Sequence, residues 1–127
     1  MLKSHSLACY PEEACALLVG RADVVEEIVI TANIAENPRQ FFEVDPGMRI
    51  RTEKKCRDTA QSIIGVFHSH PDGKAYPSQA DARMVIERHF FWLIASVLNG
   101  RQFRLEAFLP HENEAGFSPV QLSLEEE

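Results

Sequence analysis

Residues 63–71 of this chain read Ile-Ile-Gly-Val-Phe-His-Ser-His-Pro. The first five residues are apolar and rich in β-branched side chains, so they predict a short strand over 63–67 that is buried on both faces. Two histidines follow at positions i and i+2. Alternate side chains of an extended chain lie on the same side, so His68 and His70 can both reach one ion.

A second polar segment, Pro77-Ser78-Gln79-Ala80-Asp81, comes after a loop over 69–77. Ser78 is a good N-cap for a helix that we expect over about 79–88. Asp81 then lies in the first turn of that helix, on the same rim as Ser78. Two imidazole nitrogens and one carboxylate oxygen, with a fourth position left for water, are the ligand set typical of a catalytic zinc site.

Each half of this pattern also has an ordinary structural interpretation. Two histidines in a His-x-His pattern are often surface or hydrogen-bonded residues, and Ser-x-x-Asp is commonly a helix capping box. The other histidines, His5, His89 and His111, have no partner at ligand spacing, so we expect surface or packing roles for them. Cys15 has no histidine placed by the sequence to activate it, and we expect an inert packing thiol.

The rest of the chain predicts an α/β fold with a mixed sheet flanked by helices. The expected elements are a helix over 1–9 that ends before Pro11, strands over 14–20, 24–32 and 41–44, a helix from Asp45-Pro46 to 61, and strands over 91–98 and 103–109 joined at Asn99-Gly100. Neither a repeat nor a linker interrupts the sequence, so we expect one domain over 1–127, with residues 125–127 as an acidic tail.

Composition narrows the possible partners. The chain has 127 residues and a formal charge of −6, which should repel phosphate backbones and anionic membranes. No segment approaches the roughly 18 apolar residues of a membrane span, and the first residues lack a secretory signal. Three widely spaced cysteines indicate neither a disulfide framework nor a thiolate zinc site. We therefore expect a cytoplasmic protein that binds neither nucleic acid nor membrane.

Three segments together resemble the JAMM/MPN zinc metallopeptidases, namely Pro11–Gly20, Gly65–Pro71 and Pro77–Asp81. The family pattern is an upstream Glu, His-x-His, seven residues, Ser, two residues and Asp, and this chain matches every spacing. The resemblance covers nearly the whole chain and is strongest to the compact bacterial and archaeal stand-alone members. It implies a mixed-sheet α/β/α fold similar to the cytidine deaminase core.

The resemblance also implies a role for each residue of the pattern. His68, His70 and Asp81 would hold Zn²⁺, and Ser78 would stabilise the oxyanion. Glu13, rather than its neighbour Glu12, would be the general base, because the family's Glu precedes a strand glycine by three positions. That glycine is Ala16 here, where a methyl group should tighten the local packing.

The implied substrate is the C-terminal Gly-Gly of a ubiquitin-like or sulfur-carrier protein, cut at an amide or isopeptide bond. Such a tail could lie along a sheet edge, with the segments 72–76 and 33–42 as groove walls. Two alternatives stay open at this point, a non-catalytic scaffold or binding module and a zinc hydrolase of a small-molecule amide or cell-wall peptide. Exposed edge strands would also permit a homodimer.

Overall fold

A computed structural model of the chain describes residues 1–85, 87, 89–112 and 116–123. The described elements, in chain order, are α1 (Leu2–Cys9), β1 (Cys15–Arg21), β2 (Val24–Thr31), α2 (Pro46–Cys56), β3 (Ser62–Pro71), α3 (Gln79–Arg83), β4 (Phe91–Leu98), β5 (Gln102–Pro110) and β6 (Phe117–Val120). The strands form one sheet in the order β2-β1-β3-β4-β5-β6.

The sheet is mixed, as predicted. Among the described strands, β3 and β4 pair in parallel, and the other neighbours pair antiparallel. Parallel neighbours need a crossover connection, and residues 72–90, which include α3, supply it here. The crossover therefore begins immediately after the two histidines of β3.

Helices cover both faces of the sheet, which confirms the predicted α/β/α arrangement. Leu2 and Cys9 of α1 pack with the cluster that contains Ala16 and Phe67. Cys56 of α2 packs against the opposite face, in a cluster with Leu17. Successive β1 residues thus alternate between the two faces, as expected of a strand buried on both sides.

The predicted strand over 41–44 is wrong. Val44 makes only an isolated bridge with Asn33, and no strand of the described chain includes residues 41–44. Phe42 is instead turned into the core, where it is 4% exposed. Its ring packs with the cluster of Val66 and Trp92, and this burial replaces pairing along a ladder.

The sequence analysis also missed β6, which pairs antiparallel with β5 over Phe117–Val120. This strand has four residues and contains Pro119. Proline lacks the N–H that a central strand must donate, so the strand fits only at the sheet edge, where it lies.

Three element boundaries differ from the predicted ones by more than one residue. The helix α2 ends at Cys56 rather than at 61, because Arg57 caps it and Asp58 adopts a positive φ of 64°. The helix α3 ends at Arg83 rather than at 88. Beyond it, Val85 packs against the Phe42 cluster and Glu87 pairs with Arg49. The strand β3 runs on to Pro71, because its pairing with β4 continues that far.

None of the helices in the described part of the chain is long and apolar enough to cross a bilayer. The predicted acidic tail over 125–127 lies outside the described residues.

Candidate metal centre

The extension of β3 to Pro71 brings its two histidines to one place. The Nε2 atoms of His68 and His70 are 3.0 Å apart. His68 is fully buried, in register with Cys15 of β1 and Ile94 of β4. A ring in the middle of three paired strands has little freedom to move, so β3 fixes one donor atom of the site firmly.

Two aromatic rings enclose the His68 imidazole. Phe42 stacks on it with ring centroids 4.2 Å apart, and Trp92 meets it edge-on at 5.5 Å. These contacts exclude water from the ring faces. The Nε2 edge, which faces His70 and Asp81, is thereby left as the functional edge of the ring.

The start of α3 brings Asp81 to both histidines. One carboxylate oxygen lies 3.0 Å from Nε2 of His68, and the other lies 3.1 Å from Nε2 of His70. Ligand atoms bonded tetrahedrally to zinc at 2.0–2.1 Å are about 3.3 Å apart. The contacts among these three side chains, 3.0–3.1 Å, are close to that value, so the residues present fit a bound divalent metal ion.

Ser78 orients the Asp81 carboxylate through a capping box. The Ser78 N–H donates to Oδ2 of Asp81 at 2.9 Å, and the Asp81 N–H donates to Oγ of Ser78 at 3.0 Å. The capping interpretation of Ser-x-x-Asp is therefore correct, and the same contacts aim the carboxylate at the histidines. The Ser78 hydroxyl accepts in this box, which leaves its own proton available for donation.

His70 is oriented by the loop that follows it. Its Nδ1 lies 2.7 Å from the carbonyl oxygen of Lys74, so the Nδ1–H donates, and Nε2 is the nitrogen that faces Asp81 and would bind a metal. A backbone acceptor of this kind fixes both the tautomer and the direction of the ring. Lys74 thus supports the site through its main chain alone.

Glu13 lies just before β1 and presents a buried carboxylate to the same cluster. Ligand atoms of Glu13, His68 and His70 all lie within 4.8 Å of one another. Glu13 is 5% exposed, and its Oε1 has no hydrogen-bond partner among the described residues. A buried carboxylate oxygen without a hydrogen bond destabilises the folded protein, unless a substrate or a water molecule donates a hydrogen bond to it.

Burial and hydrogen bonding of these side chains shift the pKa values of Glu13, His68 and Asp81. Burial raises the pKa of Glu13 to about 8, while His70 opposes this rise and Asp81 adds to it. Burial lowers the pKa of His68, which favours the neutral imidazole that a metal requires. Burial would raise the pKa of Asp81, but its hydrogen bonds with His68 and His70 hold that pKa well below its usual range.

The structure therefore brings together four of the five residues that the sequence pattern singled out, Glu13, His68, His70 and Asp81. The fifth, Ser78, lies beside them at the helix cap. Ala16, at the position of the family's glycine, is fully buried and pairs with Phe67 and Ile30.

Residues without an expected role lie elsewhere. His5 contacts Cys9, and His89 packs edge-on against Phe90. Cys15 is buried, with its Sγ 3.2 Å from Oγ1 of Thr31, and burial raises its pKa to about 11. A protonated, enclosed thiol is a packing group.

Sequence reasoning missed two residues that shape the site, Asn33 and Phe42. Asn33 bonds to the main chain at Glu13, and Phe42 stacks on His68. Asn33 gave no signal, since an asparagine in a polar loop is commonplace. The adjacent rings of Phe41 and Phe42 did indicate an apolar contact. The same pair of residues is compatible with a strand and with a loop that buries one ring, so the sequence could not distinguish the two.

A family model for prokaryotic homologs of the JAB domain matches residues 2–107. The chain belongs to this family. The resemblance to the JAMM/MPN proteins is thereby confirmed.

Two curated relatives are peptidases by name. The CysO-cysteine peptidase of Mycobacterium tuberculosis is 24% identical over 107 residues, which are 83% of this chain and 73% of the relative. A Thermus thermophilus protein named "Probable TtuB-protein conjugate cleaving protease" is 30% identical over 81 residues, which are 64% of this chain and 54% of the relative.

Solved structures confirm the fold. The solution structure of protein DSY2949 from Desulfitobacterium hafniense is 29% identical, with a TM-score of 0.79, and covers 98% of this chain and 87% of that protein. A structure described as "JAMM: A Metalloprotease-like Zinc Site in the Proteasome and Signalosome" has a TM-score of 0.58 at 18% identity, over 98% of this chain and 88% of the other. At that identity the match concerns the fold alone.

Proposed function

We propose that this protein is a zinc metallopeptidase that hydrolyses an amide or isopeptide bond at the C-terminal Gly-Gly of a ubiquitin-like or sulfur-carrier protein. The observation that carries the proposal is the meeting of three side chains, His68, His70 and Asp81, through contacts of 3.0–3.1 Å beside the buried carboxylate of Glu13. A structural zinc site would close the fourth position with a protein ligand, whereas a catalytic site keeps it open.

His68, His70 and Asp81 are the ligands in this proposal. When bound, zinc supplies a Lewis acid that polarises a carbonyl group and makes a water molecule acidic near neutral pH. Two imidazoles, one carboxylate and an open position form a ligand set that catalytic zinc sites of metallopeptidases use.

Glu13 is the general base and then the general acid. Its buried carboxylate takes a proton from the attacking water and returns it to the leaving amine. The pKa of about 8 makes this group a stronger base than an exposed glutamate, and a bound cation would lower that pKa toward the working pH. The Ser78 hydroxyl proton is available to stabilise the oxyanion of the substrate.

The proposed substrate follows from the relatives and from the site's surroundings. One relative is named for a CysO-cysteine bond and another for protein conjugates. The two segments proposed as groove walls both touch the site, 33–42 through Asn33 and 72–76 through Lys74. Each carries exposed apolar side chains, among them Phe41 at 45% and Tyr76 at 64%, which could pack on an extended tail.

The decisive experiment is cleavage of a ubiquitin-like protein that carries a short extension after its Gly-Gly. We expect mass spectrometry to detect a new Gly-Gly terminus with the zinc-loaded protein and none after dialysis against a strong chelator, with activity restored by added zinc. Cleavage that persists without metal would contradict the mechanism. Cleavage of short unrelated peptides but not of any carrier protein would contradict the substrate class.

The proposal includes a cytoplasmic location. Cys9, Cys15 and Cys56 are all free thiols, as is usual for proteins of a reducing compartment. A homodimer stays a prediction.

A further inference from the structure

Asn33, at the start of the loop that joins β2 to α2, uses both ends of its side-chain amide. Its Nδ2 donates to the carbonyl oxygen of Glu13 at 2.9 Å and to that of Phe41 at 3.0 Å. Its Oδ1 accepts from the N–H of Ala35 at 3.1 Å and from that of Glu43 at 3.0 Å. Because donors face carbonyls and the acceptor faces N–H groups, only this orientation of the amide satisfies all four contacts.

These contacts connect two parts of the candidate metal centre that come from different segments. Glu13 provides the buried carboxylate, and Phe41 immediately precedes the ring that stacks on His68. The Glu13 N–H also donates to the carbonyl oxygen of Pro38 at 2.7 Å, so the same loop holds Glu13 from both sides of the residue. Glu13 lies outside β1, which begins at Cys15, and its main chain therefore depends on the loop for support.

The loop does not need the Asn33 side chain in order to close. The N–H of Ile34 donates to the carbonyl oxygen of Glu43 at 3.0 Å, and Asn33 and Val44 form a backbone bridge. What the side chain adds is the bond from this closed loop to the segment that carries the general base.

We propose that Asn33 is a positioning residue, whose amide fixes the main chain at Glu13 and at Phe41 and thereby sets the Glu13 carboxylate and the Phe42 ring relative to His68. The expected effect of Asn33 on catalysis rests on the proposed function, whereas its effect on the main chain at Glu13 does not. Catalytic groups must be held to within a fraction of an ångström, so a loosened base lowers the rate without altering the metal ligands.

The test compares Asn33→Ala and Asn33→Asp with the wild type. Asn33→Asp keeps an acceptor for the N–H groups of Ala35 and Glu43 but turns an oxygen toward the carbonyls of Glu13 and Phe41. We therefore expect both variants to lose activity, while the aspartate variant keeps more of the thermal stability. The control is Thr59→Ala, since the Thr59 hydroxyl also bonds the main chain of a loop, at Cys56 and Gln61, but lies before the start of β3, at the opposite end from the histidines, and should leave activity unchanged.

The first readout needs neither metal nor substrate. Amide hydrogen exchange, followed by NMR on the metal-free protein, should be faster at the Glu13 N–H by on the order of ten-fold in both Asn33 variants and unchanged in Thr59→Ala. Equal protection of this amide in all four proteins would overturn the proposal, whatever the activity of the protein.

The second readout separates positioning from general stability. At a temperature where every variant is folded, we expect kcat to fall by about ten-fold or more in both Asn33 variants, with KM and zinc content unchanged. Unchanged kcat in variants that only melt earlier would overturn the proposal. Should the wild type cleave no carrier protein while the Glu13 amide loses protection, the proposed function fails and the positioning by Asn33 stands.

Discussion

Glu13 and its neighbour Glu12 offer a direct comparison of a buried and an exposed carboxylate one residue apart. In Glu13→Gln the metal ligands stay in place, but the amide cannot accept a proton from the attacking water. We expect a loss in kcat on the order of 10²-fold or more, with zinc content unchanged. Steady-state kinetics and elemental analysis measure the two quantities on the same sample.

Glu12→Gln is the matched control and should retain full activity. If the two variants lost activity equally, the general base would not be Glu13. If Glu13→Gln also lost its zinc, the carboxylate would be a ligand rather than a base.

His70 offers the cleanest test of the ligand set, because its side chain is 14% exposed whereas that of His68 is 0% exposed. Replacing His70 with alanine removes one of the three proposed ligands without opening the core. We expect the zinc content of purified His70→Ala to fall well below one ion per chain. His5→Ala, which alters a histidine on α1, should keep the full content, and a fully loaded His70→Ala would exclude His70 as a ligand.

Cys15 illustrates how burial decides reactivity at a single residue. Its pKa of about 11 leaves almost no thiolate near neutral pH, and the thiol is fully buried beside the Thr31 hydroxyl of β2. In the native protein we expect iodoacetamide to leave Cys15 unmodified and to label the partly exposed Cys56. Peptide mapping after denaturation should find Cys15 fully labelled, and rapid native labelling of Cys15 would contradict its buried position.

At the scale of elements, the close approach of β3 and β4 depends on Gly65. A Cβ at this position would lie 2.4 Å from the carbonyl oxygen of Phe91, a backbone atom that cannot move aside without displacing β4. Gly65→Ala should therefore destabilise the fold by about 1–3 kcal/mol, the usual cost of forced overpacking. Urea unfolding with an unchanged m-value would measure this loss.

Gly47→Ala is the matched control for that prediction. Gly47 lies in the first turn of α2, where an added Cβ would meet only the flexible end of Arg51 and the Asp45 carboxylate, at 3.3 and 3.4 Å. Alanine favours a helix over glycine by about 0.5–1 kcal/mol, so this variant should be equal to or more stable than the wild type. Equal destabilisation by both substitutions would contradict the role of Gly65.

The elements that the sequence predicted well are those in which local pattern and tertiary environment agree. The apolar runs of β1 and β3 can be buried only in a sheet that is covered on both faces. The Asp45-Pro46 pair begins α2 as expected, and the Asp45 carboxylate accepts a hydrogen bond from the Gly47 N–H. The failures lie where tertiary contacts override pattern. Phe42 stacks on His68 instead of forming part of a strand. The strand β6 contains a proline because it lies at the sheet edge, where one N–H need not be paired.

At the scale of the whole molecule, the meeting of His68, His70 and Asp81 could be predicted from sequence, because these residues are encoded by spacing within one strand and one helix start. The supporting contacts could not be predicted in this way. Asn33 and Glu13 are 20 residues apart, and Phe42 and His68 are connected only through the folded sheet. Contacts of this kind produce no periodic pattern in the sequence, so only the three-dimensional structure reveals them.

On the proposed ligand set, a bound zinc ion would cross-link the fold. The proposed ligands come from β3, at the centre of the sheet, and from α3, a five-residue helix within the crossover to β4. A ligand that binds only the folded state stabilises it by about 4 kcal/mol when its concentration is a thousand times its dissociation constant. Removal of zinc from the wild type should therefore lower Tm by on the order of 10 °C.

Calorimetry of the wild type with zinc and after chelation measures this shift, and His70→Ala is the control. Because that variant lacks a ligand atom, its Tm should be the same with and without added zinc, and close to that of the chelated wild type. An equal rise in Tm for both proteins would mean that zinc binds elsewhere on the chain. A zinc-loaded wild type with no rise at all would mean that the metal does not tie α3 to the sheet, and that the capping box of Ser78 and Asp81 holds this junction by itself.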